Sequence, residues 1–350
     1  MDYYLFGRSG LRVSELCLGT MTFGDDWGWG SSKDEAHKIY DAFREAGGNF
    51  FDTADIYTLG KSESYLGEFM ADHREEVVLA TKYTNAAPGT NPNAAGNHRK
   101  NMVESVEASL KRLGTDYIDL YWLHAWDGLT PVDEVMRAFD DLIRAGKVLY
   151  VGVSDAPAWV VAKSNTMAEL RGWSQYVGLQ IEYSLLERTV ERDLIPMAKD
   201  QGMAITAWSP LKSGLLSGKY LPEAEGGLGG ADDSSRLNTE MMKGFAEMGE
   251  RGKQTVREVV AVAGELKATP AQVALAWLRY RSVTVIPIIG ARKLSQLEDN
   301  LASLELELSD EQLQRLNQAS AIELGFPHEF LAEGLAHEFI HGGMRKRIKA

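Results

Sequence analysis

Four residues of this chain stand out as able to move a proton: Asp52, Tyr57, Lys82 and His124, each at or just beyond the end of a short apolar run. Taken singly, such a residue is as readily structural or solvated as reactive. Four in register on adjacent runs suggest a shared task. An ammonium beside a phenol favours the phenolate, so Lys82 is expected to bring Tyr57 from its ordinary pKa near ~10 toward useful acidity. Asp52 is expected to keep that lysine charged and oriented, and His124 to hydrogen-bond a substrate carbonyl oxygen. No nucleophile stands beside a base in a recognisable motif, and no metal-ligand set accompanies the four, so the expectation is proton donation without a metal. Donation to a carbonyl requires hydride from elsewhere, which calls for a nicotinamide cofactor.

The elements that must position these groups follow from an alternation of β-branched runs and helical periodicity. Strands are expected over 16–19, 50–52, 77–81, 118–124, 148–154, 177–181, 204–208 and 283–289, with amphipathic helices over 33–46, 101–113, 131–145 and 191–200. Eight βα units in series imply a (β/α)8 TIM barrel with a core of about residues 16–303, in a single domain spanning 1–350. In such a barrel the working residues sit at the C-terminal strand ends. The same rim then carries Ser154, Asp155, Gln180, Trp208 and Ser209. Trp208 suits stacking on a flat ring, and Ser154 with Gln180 suits holding a carboxamide. The last unit, Gly290-Ala291-Arg292-Lys293 opening a helix through Gln296 and Asn300, offers free backbone N–H groups and two cations to a phosphate. With Arg236 from the long segment before it, this favours NADP over NAD.

Three segments lie outside the repeat. Residues 2–15 read as an N-terminal hairpin capping one barrel end; 211–250 form a long Gly-rich loop; 319–350 form a C-terminal tail packing over one face. The Gly226 to Gly230 stretch does not sit between a strand and a helix, which removes a dinucleotide fingerprint and the doubly wound sheet it would imply. His337-Glu338-Phe339-Ile340-His341 has zinc-protease spacing, but Gly342-Gly343 follows at once without a third ligand, so it reads as an exposed helix before a solvated basic end.

Composition narrows the partners. A net charge of −13 disfavours nucleic acid and anionic membranes, which select excess Lys and Arg. No apolar run approaches the roughly 20 residues of a membrane span. The start, Met1 to Arg8, lacks the pattern of a secretory signal, and the single Cys17 has no internal disulfide partner; both point to the cytoplasm. No heptad or symmetric patch decides the oligomeric state, so a homo-oligomer stays open.

Read as motifs, Asn49-Phe50-Phe51-Asp52-Thr53-Ala54-Asp55-Ile56-Tyr57, Ala80-Thr81-Lys82-Tyr83, Asp119-Leu120-Tyr121-Trp122-Leu123-His124 and Val151-Gly152-Val153-Ser154 resemble the aldo-keto reductase superfamily. The likeness runs from Leu16 to Asn300. It implies a catalytic tetrad of Asp52, Tyr57, Lys82 and His124 and NADP(H) extended across the barrel rim, with Gly19, Thr20, Met21 and Asp52 among its contacts. Trp208 to Leu211, Ser217 to Tyr220, Ser235-Arg236 and Gly290 to Asn300 are similar to the branch of bacterial general reductases and potassium-channel beta subunits. That branch implies cofactor contacts from Trp208, Ser209, Leu211, Ser213, Lys219, Arg236, Gly290, Arg292, Gln296 and Asn300, with the loop from 211 folded over the pyrophosphate. Many relatives carry Asn where this chain has Asp155.

The resemblance implies NADPH-dependent reduction of aldehydes or ketones to alcohols with Tyr57 as general acid, reversible to alcohol oxidation. The alternative is a cofactor-binding regulatory subunit like the channel beta subunits. Those subunits place Asn where this chain has His124, so the intact four favour turnover. Trp27, Trp29, Tyr57, Tyr83, Trp126 and Phe326 are expected to form an aromatic entrance suited to aldehydes or bulky ketones.

Overall fold

The computed structural model describes residues 1–222, 226–229, 248–332 and 334–349, the side chains of 335–337 excepted. At the N-terminus, β1 (Tyr3–Leu5) and β2 (Arg12–Ser14) pair antiparallel, the hairpin the sequence suggests. Eight further strands follow: β3 (Cys17–Gly19), β4 (Phe50–Asp52), β5 (Val78–Tyr83), β6 (Ile118–Leu123), β7 (Val148–Ser154), β8 (Tyr176–Glu182), β9 (Ala204–Trp208) and β10 (Val285–Ile289). Each pairs parallel with its neighbours and β10 closes onto β3, giving a closed barrel. All eight expected strands are present. The third runs two residues further than expected, which puts Lys82 inside the strand; the fourth ends at Leu123, leaving His124 just beyond it.

Helices surround the barrel in chain order: α1 (Lys33–Glu45), α2 (Lys61–Phe69), α3 (Arg99–Leu113), α4 (Val132–Arg144), α5 (Ala158–Arg171), α6 (Leu194–Asp200), α7 (Glu250–Leu266), α8 (Pro270–Arg279) and α9 (Leu294–Leu301). Their starts are encoded locally. Ser32 accepts from the Glu35 N–H ahead of α1, and Thr269 with Gln272 forms a reciprocal capping box around Pro270 at the start of α8. Part of the expected 211–250 loop is a 3₁₀ turn over Lys212–Ser217. Arg236 and most of the Gly-rich stretch's continuation lie outside the described residues.

Strand periodicity sorts the core into two layers. Outward residues such as Leu79, Tyr83, Tyr121 and Leu179 pack under the helices. Inward residues, among them Phe50, Val78, Ala80, Leu120, Trp122 and Ile286, fill the barrel together with Phe6 from the hairpin. Two glycines make this filling fit. A Cβ on Gly152 would lie 2.3 Å from the Trp122 ring, and one on Gly178 2.4 Å from the Phe6 ring, so neither position tolerates a side chain without displacement. Phe6 meets Phe50 and Trp122 edge-on, with ring centroids 5.6 and 6.2 Å apart, and closes the end of the barrel away from the rim.

One of the expected entrance aromatics is elsewhere, and another has its ring in solvent. Tyr83 is fully buried on the outward face of β5, stacked on Tyr121 at 5.4 Å and edge-on to Phe139 at 5.9 Å. The pleat decides this: with Lys82 pointing inward, its strand neighbour must point outward. Phe326 is 83% exposed, and its ring contact is with Phe330. The tail expected after 319 follows α10 (Asp310–Ala319) and carries the short α11 (His328–Ala332) and α12 (Leu335–Ile340). Arg188 bonds Asn317 O and Ser320 Oγ, and Arg192 bonds Glu323 O at 2.6 Å, which fastens the tail's beginning beside the segment after β8. No single helix among the described residues is long and apolar enough to cross a membrane.

Candidate active site

Asp52, Lys82, Ser154, Gln180 and Trp208 occupy the inward register positions at the C-terminal ends of β4, β5, β7, β8 and β9, and His124 takes the equivalent place just past β6. Tyr57 comes from the turn between β4 and α2. That turn holds Thr58 and Leu59 in left-handed backbone at φ 45° and 56°. Thr58 pins it, donating from Oγ1 to Phe23 O at 2.8 Å while accepting from the Ser62 N–H at 3.1 Å.

The four expected proton-handling residues meet. Lys82 Nζ is ion-paired with Asp52 Oδ1, donates to Thr53 O at 2.8 Å, and reaches Tyr57 OH at 3.3 Å. Gln180 Nε2 donates to the second Asp52 oxygen at 3.0 Å, so both carboxylate oxygens are engaged. The Tyr57 and His124 rings stand edge to face, centroids 5.9 Å apart. Burial works against the Lys82 ammonium, but Asp52 and Tyr57 outweigh it and the lysine stays charged. For Tyr57, burial pushes the phenol above its ordinary value; Lys82 pulls it down and Asp52 adds to the rise, and the sum is upward. This corrects the expectation of a net-lowered tyrosine: desolvation of the phenolate exceeds the help from one ammonium already shared with Asp52. Burial and, secondarily, Lys82 push His124 down to about 3, which keeps its imidazole neutral. Its Nδ1 has no hydrogen-bond partner among the described residues.

Next to this set, Ser154 Oγ and Thr206 Oγ1 are buried without partners among the described residues. Buried hydroxyls are normally satisfied, so two at the same barrel mouth suit a polar ligand. Thr206, two residues before Trp208 on the same inward face, was missed by sequence reasoning; strand alternation alone would have found it. Gln180, expected to hold a carboxamide, has its amide nitrogen engaged by Asp52, which leaves its oxygen. Trp208 Nε1 donates to Asp155 Oδ1 at 3.1 Å, fixing the indole plane over the rim. Trp27 approaches Trp29 at 5.8 Å and Tyr57 at 6.4 Å, an aromatic wall beside the phenol.

The other expected cofactor contacts fall into three groups. Beyond β9, Ser209 and Ser213 adopt left-handed backbone at φ 51° and 53°, Ser209 Oγ accepts from the Ser213 N–H, and Lys212 ties the turn to Glu182 at 2.7 Å. Leu211 packs partly into the core, and Lys219 lies over the Tyr220 ring. Around β3, a Cβ on Gly19 would meet Ile288 at 2.7 Å, and Thr20 is occupied throughout: its hydroxyl is buried against Asp52 O and Ser62, its N–H donates to Asp52 O at 2.9 Å, and its carbonyl accepts from the Phe23 N–H and Ser62 Oγ, so no polar group of Thr20 is left over for the expected cofactor contact; Met21 follows it. At α9, Gly290 has open space where a Cβ would stand, and Asn300 is buried. Here the expectation of free N–H groups needs correction. Gln296 Oε1 accepts the Arg292 N–H and Glu35 Oε1 the Leu294 N–H, each at 2.8 Å. A phosphate there would rest on the side chains of Arg292 and Lys293 more than on those two amides. Among the described residues no three His, Cys, Asp or Glu side chains converge as a metal site.

The sequence pattern of the aldo/keto reductase family matches residues 15–321. The chain is 42% identical to norsolorinic acid reductase stcV of Emericella nidulans, over 93% of this chain and 83% of that protein. It is 39% identical to norsolorinic acid reductase A of Aspergillus parasiticus, over 93% and 82%. It is 37% identical to an aryl-alcohol dehydrogenase [NADP(+)] of Phanerodontia chrysosporium, over 95% and 89%.

Proposed function

The chain belongs to the aldo/keto reductase family, and from that premise we propose that it reduces aromatic aldehydes or aryl ketones to alcohols with NADPH, Tyr57 serving as general acid, and that it runs in reverse when NADP+ and alcohol prevail. The observation that carries this reading is the Lys82 ammonium bridging Asp52 and Tyr57, with the His124 ring edge-on to the phenol. A protonated phenol is what reduction requires, and burial keeps Tyr57 protonated. Lys82 stabilises the phenolate that forms as the proton leaves. Neutral His124 orients the carbonyl oxygen toward Tyr57. Asp52, held by Lys82 and Gln180, fixes the lysine.

The cofactor, when bound, supplies the hydride. Trp208, Ser154 and Asp155 would hold its nicotinamide end, and Arg292 and Lys293 its added phosphate; the unpartnered Ser154 hydroxyl supports the first placement. The aromatic substrate class is supported by Trp27 and Trp29 beside Tyr57 and by the relative named an aryl-alcohol dehydrogenase. The regulatory-subunit alternative leaves the complete proton-handling set without a task, so catalysis is preferred. All four groups come from one barrel, which supports treating 1–350 as a single domain whose chemistry needs no second copy. We place the protein in the cytoplasm, since its one cysteine, Cys17, is a free thiol inside the barrel.

The test is NADPH consumption by the purified protein with a panel of aromatic and aliphatic aldehydes, run beside Tyr57→Phe. Expected is turnover of aromatic aldehydes that falls by roughly 10²–10⁴-fold in the variant while NADPH still binds. Comparable turnover in the variant removes Tyr57 from the mechanism; nucleotide binding without turnover of any compound returns the regulatory reading.

A further inference from the structure

Asp155 is a rim carboxylate that the proton-transfer chemistry does not use. It follows Ser154 at the end of β7 in left-handed backbone, φ 43°, a conformation that few residues other than glycine, asparagine and aspartate adopt. Three contacts hold it. Its own N–H donates to Gln180 O at 3.4 Å, its carbonyl accepts the Trp126 N–H at 3.2 Å, and Oδ1 accepts the Trp208 indole N–H at 3.1 Å. The residue as a whole is exposed on the rim.

The charged and titratable groups around it leave it without a counter-ion among the described residues. Glu182, at the end of β8, repels it and is itself ion-paired with Lys212. Lys82, on β5, attracts it from a distance but is bonded to Asp52. Tyr57 feels Asp155 as a charge that favours its neutral phenol. Trp208, on β9, supplies only a neutral donor. An unpaired carboxylate fixed to the edge of an indole plate is a receptor for a flat aromatic cation, through the charge and through the ring face. The oxidised nicotinamide ring is such a cation, whereas the reduced ring is neutral.

We propose that Asp155, with Trp208, makes the nicotinamide end of the site selective for charge, binding NADP+ in preference to NADPH. This rests on the reading that this end of the rim holds the nicotinamide. It deepens that reading: the amide found at this position in many relatives would be indifferent to the ring's charge, and the acid is not. The consequence is that equilibrium between bound ligands is drawn toward NADP+ and alcohol, and release of NADP+ is slowed.

The test compares dissociation constants of NADP+ and NADPH, each measured alone by calorimetry on the full-length protein between about pH 5 and about pH 8, a window that brackets the raised Asp155 carboxyl. Desolvation by the surrounding protein lifts the Asp155 carboxyl to about 6, with the Trp208 hydrogen bond pulling it down and Glu182 pushing it up. Below that value the carboxyl is neutral and the preference is absent; above it the preference is present. The ratio Kd(NADPH)/Kd(NADP+) is therefore expected to rise on the order of tenfold with pH in the wild type. Titration of the phosphate common to both nucleotides cancels in that ratio. In Asp155→Asn the ratio should stay low and flat. Trp208→Phe, which removes the donor to Oδ1, should keep the rise and move its midpoint to higher pH, and it tests the idea even if Asp155→Asn does not fold. A wild-type ratio no higher than that of Asp155→Asn at any pH, or a rise that persists in Asp155→Asn, overturns the proposal while leaving the cofactor site standing. Failure of both nucleotides to bind the wild type overturns the cofactor reading itself.

Discussion

Replacing Lys82 with methionine should slow carbonyl reduction by roughly two orders of magnitude. The ammonium lies 3.3 Å from Tyr57 OH, and at an effective dielectric of about 20 its attraction for a phenolate at that distance is about 5 kcal/mol. In a transition state with the proton about half transferred, roughly 2.5 kcal/mol of that attraction is lost with the charge, a slowing of roughly 70-fold. Lys82 is the one cation among the described groups that act on the phenol, so none compensates for its loss. The assay is kcat for NADPH-dependent reduction of a saturating aromatic aldehyde. Lys82→Met alone strands the buried Asp52 carboxylate, which typically costs about 3–5 kcal/mol of stability. The double variant Asp52→Asn, Lys82→Met restores neutrality and separates folding from chemistry. A folded, NADPH-binding variant of either kind that retains kcat within about threefold of the wild type would refute the assignment.

His124, pushed down to about 3, is neutral throughout the working range, so kcat/KM for reduction should show no limb belonging to it between about pH 5 and pH 8; a limb there that disappears in His124→Gln would show that it titrates. Arg292→Ala should weaken NADPH on the order of tenfold more than NADH, measured as Kd, because only NADPH carries the additional phosphate; equal losses would detach Arg292 from that group. Gly152→Ala drives a methyl to 2.3 Å from the Trp122 ring. It should lower unfolding free energy by about 1–3 kcal/mol in urea titration, and an unchanged midpoint would mean that the barrel interior is looser than its geometry indicates.

Much of this was legible in the sequence because strands and chemistry share a period of two. Asp52, Lys82, Ser154, Gln180 and Trp208 can be read as one inward-facing set once their strands are placed. Tyr83 marks the limit of that reading: a strand ended at Thr81 leaves Lys82 and Tyr83 both free to face the rim, whereas the pleat of the longer strand sends one to each side. Other features have no local signature. The direction of the Tyr57 shift depends on how deeply the phenol is buried, which depends on packing around it. The occupied N–H of Leu294 is satisfied by Glu35, 259 residues earlier in the chain, a partner that no window around α9 reveals. Tyr57 itself was identifiable by type, but the left-handed turn through Thr58 and Leu59 that aims it was not, since neither residue is one that favours such backbone.

The hairpin carrying Phe6 makes the barrel a cul-de-sac. Its far end is blocked by aromatic rings, and its interior by Trp122 and the side chains around it. A ligand can therefore reach Asp52, Tyr57, Lys82 and His124 only from the rim side, and the reacting groups of nucleotide and substrate must meet at one face of the barrel.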